Sequence, residues 1–393
     1  MSVKILVSEP IIAKMGIEYS KNEWGLDQFP CIRRLPNGFI GMEYHFTDDS
    51  AEAYGREKAV LVSEDDGNSW REVNGADEEA YVRGFLGKIL PSGKTIRTVM
   101  DKPVKVSEEK YAELKKLADR NFGSLPMEAV SDLMPKTYAF LLGDPVTGKV
   151  ERMECELDFP GMTTWLCSGA VVKPFVFCDI KVAPDGSLWF CTYAKGRNPK
   201  NLGYQRYDCV YFLRSTDEGK TLKLHSWIQF KPDTEIYPDM FKAEGFNESD
   251  IAFMPDGSVI AVFRSGFTCP SFISRSTDGG KTWSEPEVFD KCGVFPNLLQ
   301  LKCGVTLASY GRPGLFVRAT DHPSGTEWSE PVTIIEPERN LGMPFAWNSC
   351  YYTSMVELGD DEALLVNSDF RVKDERGVER KSLCVRRIKV VKE

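Results

Sequence analysis

Apolar residues along this chain fall in short, strand-length runs, and six times a pair of such runs flanks a Gly- or Asp-containing turn. The six are RLPNGFIGM at 34–42, ILPSGKTI at 89–96, VAPDGSLWF at 182–190, FMPDGSVIAVF at 253–263, QLKCGVTLASY at 300–310 and ELGDDEALLV at 357–366. Apolar runs bounded by such residues read as hairpins. Six of them over 393 residues give about 65 residues per unit, room for a four-stranded meander with insertions. A meander cannot bury both of its faces alone, so the pattern predicts radial repetition. The expected fold is all-β: one six-bladed β-propeller domain over residues 1–393. The C-terminal KSLCVRRIKVV, 381–391, reads as a strand that completes a blade begun by the N-terminal SVKILV and closes the ring without an exposed edge.

A second motif recurs three times: SEDDGNSW at 63–70, STDEGKTL at 215–222 and STDGGKTW at 276–283. In each, Asp can bond its own downstream amides and Gly takes the positive φ that other residues avoid. These boxes are markers of fold, expected on the rim and away from any ligand. The single departure from strand patterning is VSEEKYAELKKLADRNFG at 106–123. It predicts a helical insertion with Tyr111, Leu114, Leu117 and Ala118 on one face, Ser107 as cap and Gly123 as terminator, and little helix elsewhere.

Composition adds mainly exclusions. Acidic residues outnumber basic ones 58 to 49, for a net charge of -9, with no long Lys/Arg cluster, so nucleic acid is not an expected partner. No run reaches the roughly 18 apolar residues of a membrane span. The opening MSVKILVSEP holds too short an apolar stretch for an export signal, and the 11 cysteines are scattered without a CxxC pair. Free thiols and a cytoplasmic location are expected. The three histidines His45, His225 and His322 join no Cys/His cluster, so neither a metal nor a cofactor is expected.

The candidate chemistry begins in the fourth unit. GFNESDIAFMPDGSVIAVFRSG places Glu248 before one strand and Arg264 at the end of its hairpin partner, so an acid and a base 16 residues apart can face one cavity. A Glu, a hairpin with a PDG turn, an Arg and then a box resemble the sialidase (neuraminidase) superfamily of six-bladed propellers. In that family three arginines clamp the substrate carboxylate, a Tyr activated by a Glu is the nucleophile, and an Asp is the acid/base; sialidases are the exception among glycosidases in using a Tyr.

Carried over by position, the resemblance implies that Glu248 is the activating glutamate and Arg264 the second arginine. In LASYGRPGLFVRATDHPSGTEW it makes Arg312 the third arginine, followed by a degenerate box whose Ser has become Ala319. In CYYTSMVELGDD the nucleophile is Tyr352, or Tyr351 if the register slips by one. A phenol titrates near pH 10 and needs a base within hydrogen-bond reach, which Glu248 can supply. The acid/base falls to Asp49 or Asp48 in FIGMEYHFTDDS, with His45 close enough to tune it or to bind a sugar hydroxyl.

The first blade departs from the family. QFPCIRRLPNG has Gln28 where the first arginine belongs, Arg33 and Arg34 belong to the strand, and LLVNSDF offers Ser368 or Asp369 where a supporting Glu is usual. The leading expectation is therefore a retaining exo-glycoside hydrolase acting on a small carbohydrate with a terminal, acidic sugar, its Gln28, Arg264, Arg312 and His45 binding substrate. Two alternatives stand beside it: a non-catalytic propeller that binds a glycan or protein on the same face, and a lyase on a uronic acid with Tyr352 as base.

Overall fold

A computed structural model describes residues 3–21, 23–50, 53–118, 123–159, 162–173, 179–194, 209–231, 243–267, 269–337 and 347–392. Strands dominate, and six antiparallel four-stranded units follow one another along the chain. Unit one is built from Gln28–Arg34, Ile40–His45, Ala59–Ser63 and Arg71–Glu72. Unit four runs Asn247–Phe253, Val259–Arg264, Ser271–Ser276 and Glu287–Asp290. Unit six takes Thr353–Glu357, Glu362–Lys373 and Glu379–Lys392, and its fourth place is shared by two consecutive strands from the other end of the chain, Val3–Val7, with Val3 opposite Lys392 and Val7 opposite Ile388, and Ile11–Glu18, with Ile11 opposite Val385.

Each of the six turn motifs is the hairpin between the first and second strands of its unit. Around the PDG turn of unit four, Met254 N donates to Ser258 O at 2.8 Å and Gly257 N to Met254 O at 2.9 Å, with Gly257 at φ 85°. The same pair of bonds recurs at Leu35, Leu90, Ala183 and Leu301. The boxes close the turns between third and fourth strands. Ser63, Ser215 and Ser276 Oγ each accept the amide of the following glycine at 2.8 Å, while Asp65, Asp217 and Asp278 accept the serine hydroxyl and an amide further on. In the degenerate fourth turn His322 Nδ1 takes the aspartate's place, 3.0 Å from the Thr326 hydroxyl. Strand register puts Ser63 opposite Ile40 and Ser276 opposite Val259, at the far ends of their units from Gln28 and Glu248.

No unit has a core of its own. Trp189, Cys191, Val210 and Phe212 of unit three share one buried cluster with Ile251, Val259, Ala261 and Phe263 of unit four. Units four and five share Ile260, Val262, Leu298 and Tyr310; units five and six share Leu307, Val317, Leu365 and Ile388. Unit six then meets unit one through Leu364, Val366, Ile40 and Met42. First strands are also tied by side chains that accept the next unit's amides: Asp250 from Leu298 N at 2.7 Å, Asn297 from Met355 N at 3.1 Å, Ser354 from Ile32 N at 3.2 Å. Among them, Arg33 pairs with Asp179 at 2.7 Å and Lys181 with Asp250 at 2.8 Å.

Three features depart from the sequence-based expectation. A second helix, α1 (Gly75–Phe85), stands where little helix was expected, packing Val82 and Phe85 against Leu35, Val60 and Val62; its Asp77 and Glu78 in the first turn were the available signal. The insertion helix, α2 (Glu108–Leu117), has Ser107 as its cap, accepting Lys110 N at 3.2 Å, and buries Leu114. Leu117 is 57% exposed, being some 60° or more around the helix from its supposed companions, and the helix stops there rather than at Gly123. The insertion also carries a small sheet of its own, Val104–Lys105, Ser124–Pro126, Thr163–Cys167 and Ala170–Val172. Finally, units two and three merge into one eight-stranded sheet, because their outer strands Lys149–Asp158 and Thr221–Gln229 pair in parallel.

Replacing Ser215 by Ala strands the buried Gly219 amide. Chemical denaturation is expected to show a loss of about 1–3 kcal/mol, the cost of a buried donor without a partner, with no change in the far-UV spectrum.

Candidate active site

The side chains that matter are aimed by breaks in the first strands. Pairing register shifts between Gln28 and Cys31, between Asn247 and Asp250, and between Val294 and Asn297. The residue in each break has a left-handed backbone: Phe29 at φ 53°, Glu248 at 43°, Phe295 at 47°. Tyr351, just ahead of the first strand of unit six, is at 65° and Arg312 at 67°. Such bulges turn a side chain out of the pleat, and non-glycine residues hold this conformation only where the surroundings enforce it. The opposing second strands end at His45, Arg264 and Gly311, with Arg312 next in the chain.

At the centre, the Tyr352 hydroxyl donates to Glu248 Oε1. Arg264 Nη1 lies 2.9 Å from both oxygens of Glu248, and the amide of Phe295 donates to Oε2 at 3.1 Å. The remaining Arg264 nitrogens bond Glu244 at 2.8 Å and Gly266 O at 3.3 Å. Arg264, expected to clamp substrate, is thus held by two carboxylates of its own chain. Burial works against its charge, but Glu248 and Glu244 outweigh burial and hold it firmly protonated. Burial, and then the Glu248 charge, push the Tyr352 phenol well above its ordinary range, so the proton stays on the hydroxyl at rest. Phe295 stacks on the Tyr352 ring at 4.4 Å and Phe29 meets it edge-on at 5.0 Å.

Arg312 is buried under aromatic rings, 4.2 Å from the centroid of Trp347 and 5.0 Å from that of Phe267, and its Nη2 donates to Cys350 O at 3.2 Å. Burial and the nearby Arg264 charge draw its pKa down. Gln28 is fully buried and its Oε1 accepts the amide of Gly25. Ser368 and Asp369 bond Cys350 and Arg371.

The structure separates the adjacent residues that sequence left open. Asp49 is tied to Trp24 by its amide and by Oδ2, which accepts Trp24 Nε1 at 3.1 Å; Asp48 lies 3.6 Å from Arg56. Partial desolvation holds the Asp49 carboxyl above its usual range, with the Asp48 and Glu248 charges adding to the effect. Tyr352 reaches Glu248, whereas the Tyr351 ring is buried beside Trp347 and Arg312. His45 packs against Phe29 at 5.1 Å, and burial, followed by the Lys58 charge, draws its pKa down to about 4, so it is a neutral ring near pH 7. Beside it opens a cleft lined by His45, Thr47, Asp48, Asp49, Tyr54 and Lys58. Sequence reasoning passed over Glu244, Trp24, Phe267, Phe295 and Trp347. All but Phe295 lie outside the strands, where no periodicity marks them.

No family model matches the chain, and no curated protein matches its sequence. Solved structures do match its fold. A protein of unknown function from Dyadobacter fermentans superposes with a TM-score of 0.64 at 15% identity, covering 98% of this chain and 99% of that one. An alpha-L-arabinanase of Penicillium chrysogenum, complexed with arabinobiose, gives 0.53 at 11% identity over 97% and 98% of the two chains. The NanB sialidase of Streptococcus pneumoniae gives 0.49 at 13% identity over 98% of this chain and 70% of that one. At these identities the likeness is one of fold.

The bond from Trp24 Nε1 stabilises ionised Asp49. Trp24→Phe removes it, so the Asp49 pKa should rise further. If Asp49 acts as an acid, the alkaline limb of the kcat/KM profile should move to higher pH by about half a unit to one unit. A limb that stays or moves down would show that another group carries it.

Proposed function

We propose that the six units form a six-bladed β-propeller of the sialidase superfamily, and that its site hydrolyses the glycosidic bond of a terminal sugar with retention of configuration. The fold reading is supported by the hydrophobic clusters, each shared by successive units, with the sixth sharing one with the first. The observation that carries the chemistry is the hydrogen bond from Tyr352 to a buried Glu248 that is itself fixed by Arg264 and the Phe295 amide.

In the first step the Tyr352 oxygen bonds to the anomeric carbon as its proton passes to Glu248, and Asp49 gives its proton to the departing glycosidic oxygen. The product is a glycosyl–tyrosine ether and a free alcohol. In the second step water attacks the same carbon, Asp49 takes the water's proton, and the tyrosine oxygen recovers its own from Glu248. Two inversions give net retention. A high phenol pKa suits this scheme, since transfer to Glu248 is required only as the new bond forms. Arg264 is a positioning residue: it keeps Glu248 oriented and lowers the cost of burying its charge. Asp49, with its raised pKa and its bond from Trp24, fits the acid better than Asp48, which faces Arg56. The fold-level neighbour complexed with arabinobiose is in keeping with an oligosaccharide ligand.

The second reading, a glycan-binding propeller without turnover, draws on Gln28 in the place of the family's first arginine. One experiment separates the two. A panel of fluorogenic glycosides, including an N-acetylneuraminide, a glucuronide, a galactoside and an arabinofuranoside, is expected to yield at least one substrate. On it Tyr352→Phe should abolish turnover, and Glu248→Gln and Asp49→Asn should each lower kcat by about 10²–10⁴-fold. Full activity in Tyr352→Phe removes the assigned nucleophile. Binding without turnover across the panel favours the second reading.

A further inference from the structure

The first strands of five units are joined by a run of polar side chains. Arg33 of unit one donates to Ser354 of unit six at 3.0 Å and pairs at 2.7 Å with Asp179, just ahead of the first strand of unit three (Lys181–Val182). Lys181 pairs with Asp250 of unit four at 2.8 Å, and Asn297 of unit five donates to the same carboxylate at 3.5 Å while its Oδ1 accepts the Met355 amide of unit six. Unit two contributes Lys88, at the head of its own first strand (Lys88–Ile89). Lys88 makes no hydrogen bond or ion pair among the described residues. It nevertheless stands within the field of this run: burial draws its pKa down, and the charges that act on it are those of Asp179, Lys181, Arg33 and Asp250.

The charges do not balance. Arg33, Lys88 and Lys181 are three cations, against the two carboxylates of Asp179 and Asp250. Glu43, whose charge also reaches Arg33, is held by Lys58 at 3.1 Å and by Arg97 at 2.7 Å. The thiols of Cys31 and Cys191 are pushed up by burial and stay neutral near pH 7. One positive charge is therefore left over inside the protein, where an uncompensated charge is costly and a counter-ion is favoured.

The hydrogen bonds narrow the kind of ion. Arg33 is turned to Ile32 O, Ser354 and Asp179, and Lys181 to Asp250 and Leu298 O, so the ammonium with donors to spare is that of Lys88. A phosphate group offers three acceptor oxygens and brings more than one negative charge near pH 7. A halide supplies a single negative charge and asks for no fixed direction of approach.

We propose that Lys88, with Arg33 and Lys181 beside it, binds one chloride ion among the first strands, and that this ion stabilises the packing of the units on one another. The proposal stands apart from the sugar-site reading, because the Tyr352–Glu248 pair uses none of these residues.

The test is thermal unfolding at constant ionic strength, with sodium gluconate exchanged stepwise for sodium chloride. Wild-type Tm is expected to rise by about 3 °C between zero and about 200 mM chloride, the shift that a hundredfold excess over a Kd near about 2 mM gives a chain of this length. Lys88→Met keeps the length of the side chain and removes its charge, and its Tm should not respond to the exchange. Crystals of the wild type soaked in sodium bromide should show an anomalous-scattering peak in contact with Lys88 Nζ. That measurement needs no variant, so it decides the matter even if Lys88→Met does not fold. A wild-type Tm indifferent to the exchange, an equal rise in Lys88→Met, or no bromide peak at Lys88 overturns the proposal.

Discussion

A four-stranded antiparallel unit with apolar residues on both faces has nowhere to put them except against another such unit, and the whole molecule follows from that constraint. Most of the buried clusters are divided between neighbouring units, so that unit six must find unit one before Ile40, Met42, Leu364 and Val366 leave water. Val3–Val7 pairs with Glu379–Lys392 for the same reason: without it, the last unit would present an open edge. Because stability resides between units, the first strands tolerate the bulges and left-handed residues that aim the site. The cost of Phe29, Glu248 and Phe295 at positive φ is met by packing elsewhere.

The centre of the site is an exercise in burying charge. Glu248 is 7% exposed and Arg264 5% exposed, and a buried ion pair holds only if its remaining hydrogen-bonding capacity is filled. Glu244, Gly266 O, the Phe295 amide and the Tyr352 hydroxyl do that filling. One consequence is that the Tyr352 hydroxyl is held against Glu248 at rest. Another is that the charge of Arg264 is balanced by two carboxylates of its own chain, whereas Arg312 lies under aromatic rings. The same economy is seen among the first strands, where Arg33, Asp179, Lys181 and Asp250 neutralise one another in pairs.

Much of this architecture is legible in the sequence because it is written in local code. A Pro-Asp-Gly turn specifies its hairpin through the glycine's positive φ, and an Asp-box specifies its turn through bonds to residues two to four positions away, as at Asp217 and Thr221. Spacing across one hairpin also sufficed to bring Glu248 to Arg264, since the partner of Asn247 is fixed once the turn is fixed. Helix α1 is the exception: its apolar face comprises little more than Tyr81, Val82 and Phe85, too short to stand out between strands.

What the sequence could not determine depends on residues distant along the chain. Tyr352 reaches Glu248 across 104 positions, and only the register of unit six decides that Tyr352, not Tyr351, makes the contact. Asp49 and Asp48 are chemically identical neighbours until Trp24 bonds one and Arg56 draws off the other. The aromatic cover that Trp347 gives Arg312 is not visible in the sequence, because Trp347 lies in no repeat. Hairpins and turns are closed by local bonds and are fixed by sequence alone. The pairing of Arg264 with Glu248 and Glu244, the aromatic cover of Arg312 and the pairing of Tyr352 depend on which side chains meet when the units pack together, and only tertiary structure decides that.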